Sequence, residues 1–139
     1  MTIALLAALV GLAGCGETVF YQVDEAFTPT QRQEVFRAAQ RWNGVSQVQL
    51  VMTDDEPDVQ VLAARNPGGT RGLYDGRGLV RIDLERTPDD LVYTVALHEF
   101  GHVLGLEHVP GGVMDEGDGF ALDLTHVDLD ECARAGSCR

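Results

Sequence analysis

The sequence contains no lysine: all ten basic residues are arginines, and 22 acidic residues outnumber them, which gives a formal net charge of −12 at pH 7. A strongly acidic chain without a basic stripe binds nucleic acid poorly. Anionic lipid surfaces also repel such a chain unless it is anchored to them covalently. The composition therefore excludes nucleic acid as a partner, and the simplest interpretation of the charge is solubility.

No apolar run in the chain is long enough to span a bilayer as a stable helix. The run from Ile3 to Gly14 instead suits the hydrophobic part of an export signal, although no basic residue precedes it. It leads into the residues LAGC, which resemble the lipobox of bacterial lipoproteins. In that family the signal is cut before the cysteine, so we expect a signal over residues 1–14 and a lipid on Cys15. The alternative is an ordinary signal peptide with an incidental cysteine.

Cysteine is scarce, and neither of the remaining two, Cys132 and Cys138, has the C-x-x-C spacing of a redox or zinc site. Export would place both in an oxidising compartment, so we expect them to form a disulfide near the C-terminus. Such a bridge contributes on the order of 2–3 kcal/mol to stability. The alternative is a pair of free thiols near a frayed end.

A chain of 139 residues is long enough for one hydrophobic core and too short for two, so residues 16–139 are expected to form one domain. Alternating and β-branched runs predict strands at residues 18–23, 48–53, 58–64 and 79–85, with a short edge strand at Gly72, Leu73 and Tyr74. Capping signals predict helices that begin at Thr28, at Thr87 and, with Asp128 in a capping box, at Thr125.

Three of the four histidines fall within the eleven residues HEFGHVLGLEH. His98 and His102 are four residues apart, so on a helix they can aim their rings at one point. Gly105 can adopt the left-handed conformation that ends a helix, and His108 can then turn back towards the other two rings. Three imidazole ligands leave one position of a tetrahedral zinc ion open, as in catalytic sites. Glu99 lies beside that position and can accept a proton from the activated water.

The same stretch matches the H-E-x-x-H-x-x-G-x-x-H signature of the metzincin metallopeptidases at every fixed position. The order of the predicted elements also resembles the matrixin branch. The resemblance implies an α+β, zincin-like catalytic domain: a small twisted mixed sheet with an N-terminal helix, an active-site helix and a C-terminal helix. It further implies that His98, His102 and His108 bind one Zn²⁺, that Glu99 is the general base, and that Met114 forms the Met-turn beneath the metal.

The resemblance also predicts where a substrate binds. In the family a substrate lies extended and antiparallel to an edge strand, for which Gly72, Leu73 and Tyr74 are the candidates. Residues 112–122 are expected to line the specificity pocket.

Other polar residues carry weaker signals. Asp83 and Glu85 fall where matrixins have calcium ligands, and Asp75 lies in the preceding loop, but solvated charge is the preferred interpretation of these carboxylates. His126 is predicted to face solvent. Asp115 and Glu116 follow Met114, where matrixins often have Tyr-Pro.

The sequence therefore predicts an exported zinc metalloendopeptidase that is lipid-anchored in the cell envelope, at the outer membrane or cell surface, and is otherwise periplasmic or secreted. It is expected to act as a monomer on peptide or protein substrates. The alternative from another class is a catalytically silent surface-binding lipoprotein in which zinc only braces the fold.

Overall fold

The computed structural model describes residues 16–117 and 119–139, so the predicted signal segment and Cys15 lie outside the described residues. The strands are β1 (Thr18–Val23), β2 (Gln49–Met52), β3 (Val59–Ala63), β4 (Gly72–Tyr74) and β5 (Leu79–Ile82). The α-helices are α1 (Pro29–Asn43), α2 (Val92–Val103) and α3 (His126–Arg134). Each strand falls within the segment in which the sequence predicts it.

The five strands form one mixed sheet in the order β2-β1-β3-β5-β4. The first four run parallel to their neighbours, and β4 pairs antiparallel with β5, with Leu73 opposite Arg81. The predicted α+β class is therefore confirmed. Strand β4 lies at one end of the described sheet, as predicted for an edge strand.

The core lies between one face of the sheet and the helices. Along β1 the side chains of Tyr21 and Val23 are buried while Phe20 is 43% exposed, as strand alternation requires. Helix α1 packs against α2, and Trp42 joins them by donating its indole N–H to the carbonyl of Leu97 at 2.8 Å. None of the described helices combines the length and the hydropathy that crossing a membrane demands.

Helix α1 begins with the predicted capping signals. The Thr28 hydroxyl accepts the N–H of Gln31, whose side chain accepts the N–H of Thr28 in return. Pro29 occupies the first turn, where no N–H is required for the helix. The local sequence thus fixes the start of the helix that carries Trp42.

The predicted start of the active-site helix at Thr87 is wrong. A single 3₁₀ turn, Asp89–Leu91, comes first, and α2 begins at Val92. Pro88 has an extended backbone with ψ 152°, so Thr87 lies outside the helix and caps nothing. Thr87 is instead buried, at 2% exposure, beneath the turn that leads into α2.

The C-terminal segment is fastened to the body of the domain. Thr125 and Asp128 form the predicted capping box of α3. The predicted disulfide between Cys132 and Cys138 is present, with the two Cα atoms 5.1 Å apart. Between them, Ser137 donates its hydroxyl to the carbonyl of Leu104 at the end of α2. The disulfide loop therefore holds α3 against the end of the active-site helix.

Candidate metal centre

The end of α2 is shaped by a glycine turn. Gly105 has φ +92°, which is in the left-handed region that favours glycine. Its N–H donates to the carbonyl of His102, and the N–H of Leu106 donates to the carbonyl of Gly101, both at 2.9 Å. These two bonds form a Schellman motif, which ends the helix and reverses the chain. His108 is thereby brought back to the face of α2 that carries His98.

Two of the three histidine rings are oriented by a backbone carbonyl at Nδ1. His98 faces the carbonyl of Val113 at 2.7 Å, and His102 faces the carbonyl of Leu106 at 2.8 Å. A carbonyl has no proton to give, so Nδ1 of both rings is the donor and Nε2 carries a lone pair. Burial also lowers the pKa of His98 to about 4 and lowers that of His102, which keeps both rings neutral.

The three Nε2 atoms converge on one point. They lie 3.1 Å apart for His98 and His102, 3.1 Å for His102 and His108, and 3.2 Å for His98 and His108. Nitrogens about 2.0–2.1 Å from a tetrahedral zinc ion lie roughly 3.3–3.4 Å apart, so the spacing fits that ion. Lone pairs that face each other at this distance repel unless a cation lies between them. Among the described residues, this is the group of side chains that could hold a metal ion.

Glu99 lies in the same cleft, against the edge strand. It is 4% exposed, and burial raises its pKa to about 7, an effect that a hydrogen bond from the backbone of Tyr74 partly opposes. A Cβ placed on Gly72 would lie 2.5 Å from Oε1 of Glu99. The absence of a side chain at Gly72 therefore allows β4 to approach the glutamate directly.

Met114, for which the sequence predicts the Met-turn, packs against helix α2. Its side chain is fully buried, and its sulfur packs against Gly101, the residue before His102. A Cβ on Gly101 would lie 2.4 Å from that sulfur and 3.3 Å from the ring of Trp42. Glycine at this position lets the methionine and the tryptophan pack directly against the turn of α2 that carries His102.

Asp128 ties the turn at Val113 and Met114 to α3, a role that the sequence analysis missed. Its fully buried carboxylate accepts the N–H groups of Val113 and Met114, both at 3.0 Å, and the N–H and hydroxyl of Thr125. The carbonyl of Val113, which lies between these two N–H groups in the chain, orients His98. The capping box identifies Asp128 as a helix cap, but no local pattern links it to a turn fourteen residues earlier.

A cleft of about 780 Å³ lies over the three rings. One wall is formed by β4 and the residues around it, and the other by the segment that follows His108. Of the predicted pocket segment 112–122, the residues that line the cleft are Val113, Asp115, Glu116, Gly117 and Phe120. Asp118 lies outside the described residues, and Leu122 is 63% exposed away from this lining.

The remaining candidate ligands do not join this centre. His126 is exposed on α3, as predicted. Asp75 accepts the N–H groups of Arg77 and Leu79, and Asp83 accepts those of Glu85 and Arg86. Both carboxylates close turns. Asp83 is 2% exposed, so its preferred interpretation as solvated charge is wrong, and calcium binding stays the alternative prediction.

The sequence is similar to those of several known proteases. No protein-family model matches the chain. It is 34% identical over 98 residues to the extracellular small neutral protease of Streptomyces caespitosus, a match that covers 68% of this chain and 74% of that protein. It is 32% identical to the corresponding protease of Streptomyces lividans, over 71% of this chain and 44% of that protein. A macrophage metalloelastase of Oryctolagus cuniculus is 27% identical over 76% of this chain and 29% of its own length.

Two solved structures of myroilysin share the fold. Their TM-scores are 0.50 and 0.51 at 19% identity, over 68% of this chain and 44–45% of theirs. The mixed sheet, the helix that carries His98 and His102, and the three-histidine centre agree with the fold that the resemblance to the metzincins predicts. The chain belongs to the family of the extracellular small neutral proteases, as the Streptomyces caespitosus relative shows. It spans less than half the length of the Streptomyces lividans relative and of the metalloelastase.

Replacing Asp128 should destabilise the whole centre. Asp128→Ala leaves the buried N–H groups of Val113 and Met114 without an acceptor, and each such group costs about 1–3 kcal/mol. We expect the free energy of unfolding in urea to fall by about 3 kcal/mol or more. Asp130→Ala, an exposed change on the same helix, is the matched control and should stay within about 0.5 kcal/mol of wild type. Equal urea midpoints for the two variants would contradict this account.

Proposed function

We propose that this chain is an exported zinc-dependent endopeptidase in which His98, His102 and His108 bind the metal and Glu99 is the general base. The convergence of three Nε2 atoms, whose Nδ1 partners fix the ring orientations, carries the proposal. The order of the elements and the similarity to a macrophage metalloelastase support a matrixin-like subtype. Met114, packed beneath α2, is proposed as the residue of the Met-turn.

The donor set suits zinc. Imidazole nitrogens are ligands that Zn²⁺ favours, and His98, His102 and His108 would hold the ion where they line the cleft. When bound, the ion supplies Lewis-acid activation of a water molecule and of the scissile carbonyl.

Glu99 handles the protons of the reaction. Its carboxylate lines the cleft, and a pKa of about 7 suits a group that must both accept and donate a proton near neutral pH. The carboxylate takes a proton from the water whose oxygen attacks the carbonyl carbon. It then gives that proton to the amine nitrogen as the carbon–nitrogen bond breaks.

Strand β4 offers a backbone on which the substrate can be aligned. It is an end strand of the described sheet and lies along the cleft, with Gly72 against Glu99. An extended peptide that pairs antiparallel with β4 would present its backbone to the candidate metal centre. The opposite wall, within residues 112–122, would then contact the side chains of the substrate and set specificity.

We also propose that a lipid on Cys15 anchors the exported domain, which is expected to act as a monomer. The residues LAGC support the anchor, and the extracellular character of the two Streptomyces relatives supports export. Because β1 begins at Thr18, an anchor on Cys15 would hold the domain close to the membrane.

The test of the function is cleavage-site profiling of a complex peptide mixture with purified residues 16–139. Wild type loaded with zinc should cleave it, and a chelator should abolish cleavage until zinc is restored. Glu99→Ala should bind zinc as wild type does but lose about 10²–10⁴-fold in kcat/KM, the usual contribution of a general acid–base group. If wild type at full zinc occupancy cleaves nothing, the alternative of a silent binding lipoprotein replaces this proposal.

A side chain at position 72 should disturb hydrolysis without removing the metal. The Cβ in Gly72→Ala would lie 2.5 Å from Oε1 of Glu99 and 2.8 Å from Val95, so the glutamate or the strand must shift. Small displacements of this kind cost up to about 100-fold in rate, and we expect kcat/KM to fall about 10–100-fold with zinc content unchanged. Gly44→Ala is the control, because its Cβ would meet nothing closer than 3.5 Å. Equal kcat/KM values for the two variants would argue against direct contact between β4 and Glu99.

The proposed anchor can be tested in a bacterial host that processes lipoproteins. The full chain should incorporate labelled palmitate and sediment with membranes, and Cys15→Ser should do neither while remaining active. The control is the double variant Cys132→Ser/Cys138→Ser, which retains Cys15 and should still be labelled. Failure of the wild-type chain to take up label would exclude lipidation.

A further inference from the structure

Of the three candidate ligands, His108 has the least support from regular structure. It lies on an irregular segment rather than on α2, and its side chain is 42% exposed. The Nδ1 atoms of His98 and His102 face backbone carbonyls, which the fold holds in place. Nδ1 of His108 instead faces a side chain, the carboxylate of Glu116, at 3.2 Å.

The fold brings Glu116 to this ring through a closed loop. The N–H of Val109 donates to the carbonyl of Met114 at 3.1 Å and closes this loop. His108 directly precedes the loop, and Asp115 and Glu116 directly follow it. The carboxylate of Asp115 then accepts the N–H groups of Gly111 and Gly117, at 2.9 and 2.8 Å. These two bonds fix the backbone on both sides of Glu116.

The other nearby carboxylates are directed elsewhere. Asp115 is occupied by the two backbone N–H groups of its own loop. The carboxylate of Glu107, the residue before His108, is 81% exposed and lies 3.8 Å from Arg134. Glu116 is therefore the carboxylate that the described structure places against the outer nitrogen of His108.

We propose that Glu116 is a positioning residue for the metal centre, which accepts the Nδ1–H of His108 and so holds Nε2 towards the ion. The inference rests on the proposed zinc site and concerns how the third ligand is held. A partner at the outer nitrogen of a ligating histidine fixes its tautomer and ring orientation, and losing it typically costs about 10–100-fold in metal affinity. Because Glu116 is 75% exposed, we expect the lower end of that range.

The experiment measures zinc affinity by equilibrium competition with a fluorescent zinc chelator, using purified residues 16–139. Glu116→Ala should bind zinc about tenfold more weakly than wild type. Glu116→Gln should fall between the two, because its amide oxygen can still accept the Nδ1–H. Glu107→Ala removes the same charge one residue away from His108 without touching its ring, and it should bind zinc as wild type does.

Two further readouts separate positioning from general effects. The thermal midpoint of the metal-free protein should be the same for Glu116→Ala and wild type. The exposed carboxylate of Glu116 contacts the ring of His108 and is not part of the core. In ¹⁵N spectra of the zinc-bound protein, the signal of the Nδ1–H of His108 should be present in wild type and lost by solvent exchange in Glu116→Ala.

Several outcomes would overturn the inference. Equal zinc affinity of Glu116→Ala and wild type would do so, and so would equal weakening by Glu116→Ala and Glu107→Ala, which would indicate a diffuse charge effect. A metal-free Glu116→Ala protein that melts early would show a structural role instead. A wild type that binds zinc but cleaves nothing would overturn the proposed function alone, because affinity is measured without hydrolysis.

Discussion

Three imidazole rings must present unprotonated nitrogens to one point, and much of the surrounding structure serves that requirement. Each ring needs an acceptor at its outer nitrogen, and the fold supplies two of the three from its backbone. The Schellman motif at Gly105 ends α2 and also places the carbonyl of Leu106 over His102. One turn therefore sets both the path of the chain to the third histidine and the orientation of the second.

The C-terminal helix stabilises the irregular segment that carries the third histidine. Loops that run through a protein interior leave backbone N–H groups to be satisfied, and here buried carboxylates accept them. Asp128 accepts the N–H groups of Val113 and Met114, and Glu131, one helical turn later, accepts the N–H of Glu107. The disulfide between Cys132 and Cys138 then closes the C-terminal tail onto α3, and Ser137 in that loop donates its hydroxyl to the carbonyl of Leu104 at the end of α2. Residues far apart in sequence thus hold both sides of His108.

The local parts of this structure could be predicted from the sequence because local physics determines them. The helix cap at Thr28 and the left-handed turn at Gly105 depend on neighbouring residues, and both are present as predicted. The start of α2 was misplaced because threonine is a residue type that often caps helices. In the structure, tertiary packing buries Thr87 outside the helix. Asp128 and Glu116 were missed as supports of the centre because their partners are set by chain reversals, which no local pattern encodes.

The contact between Gly72 and Glu99 couples substrate alignment to the chemistry of the proposed base. Burial against β4 raises the pKa of Glu99, while the backbone of Tyr74 in the same strand opposes that rise. The strand proposed to align the substrate is therefore also the strand that sets the protonation of the carboxylate. A peptide laid along β4 would exclude more water from the cleft and strengthen every electrostatic interaction inside it. Alignment and proton transfer would then depend on one close approach, which a glycine at position 72 permits.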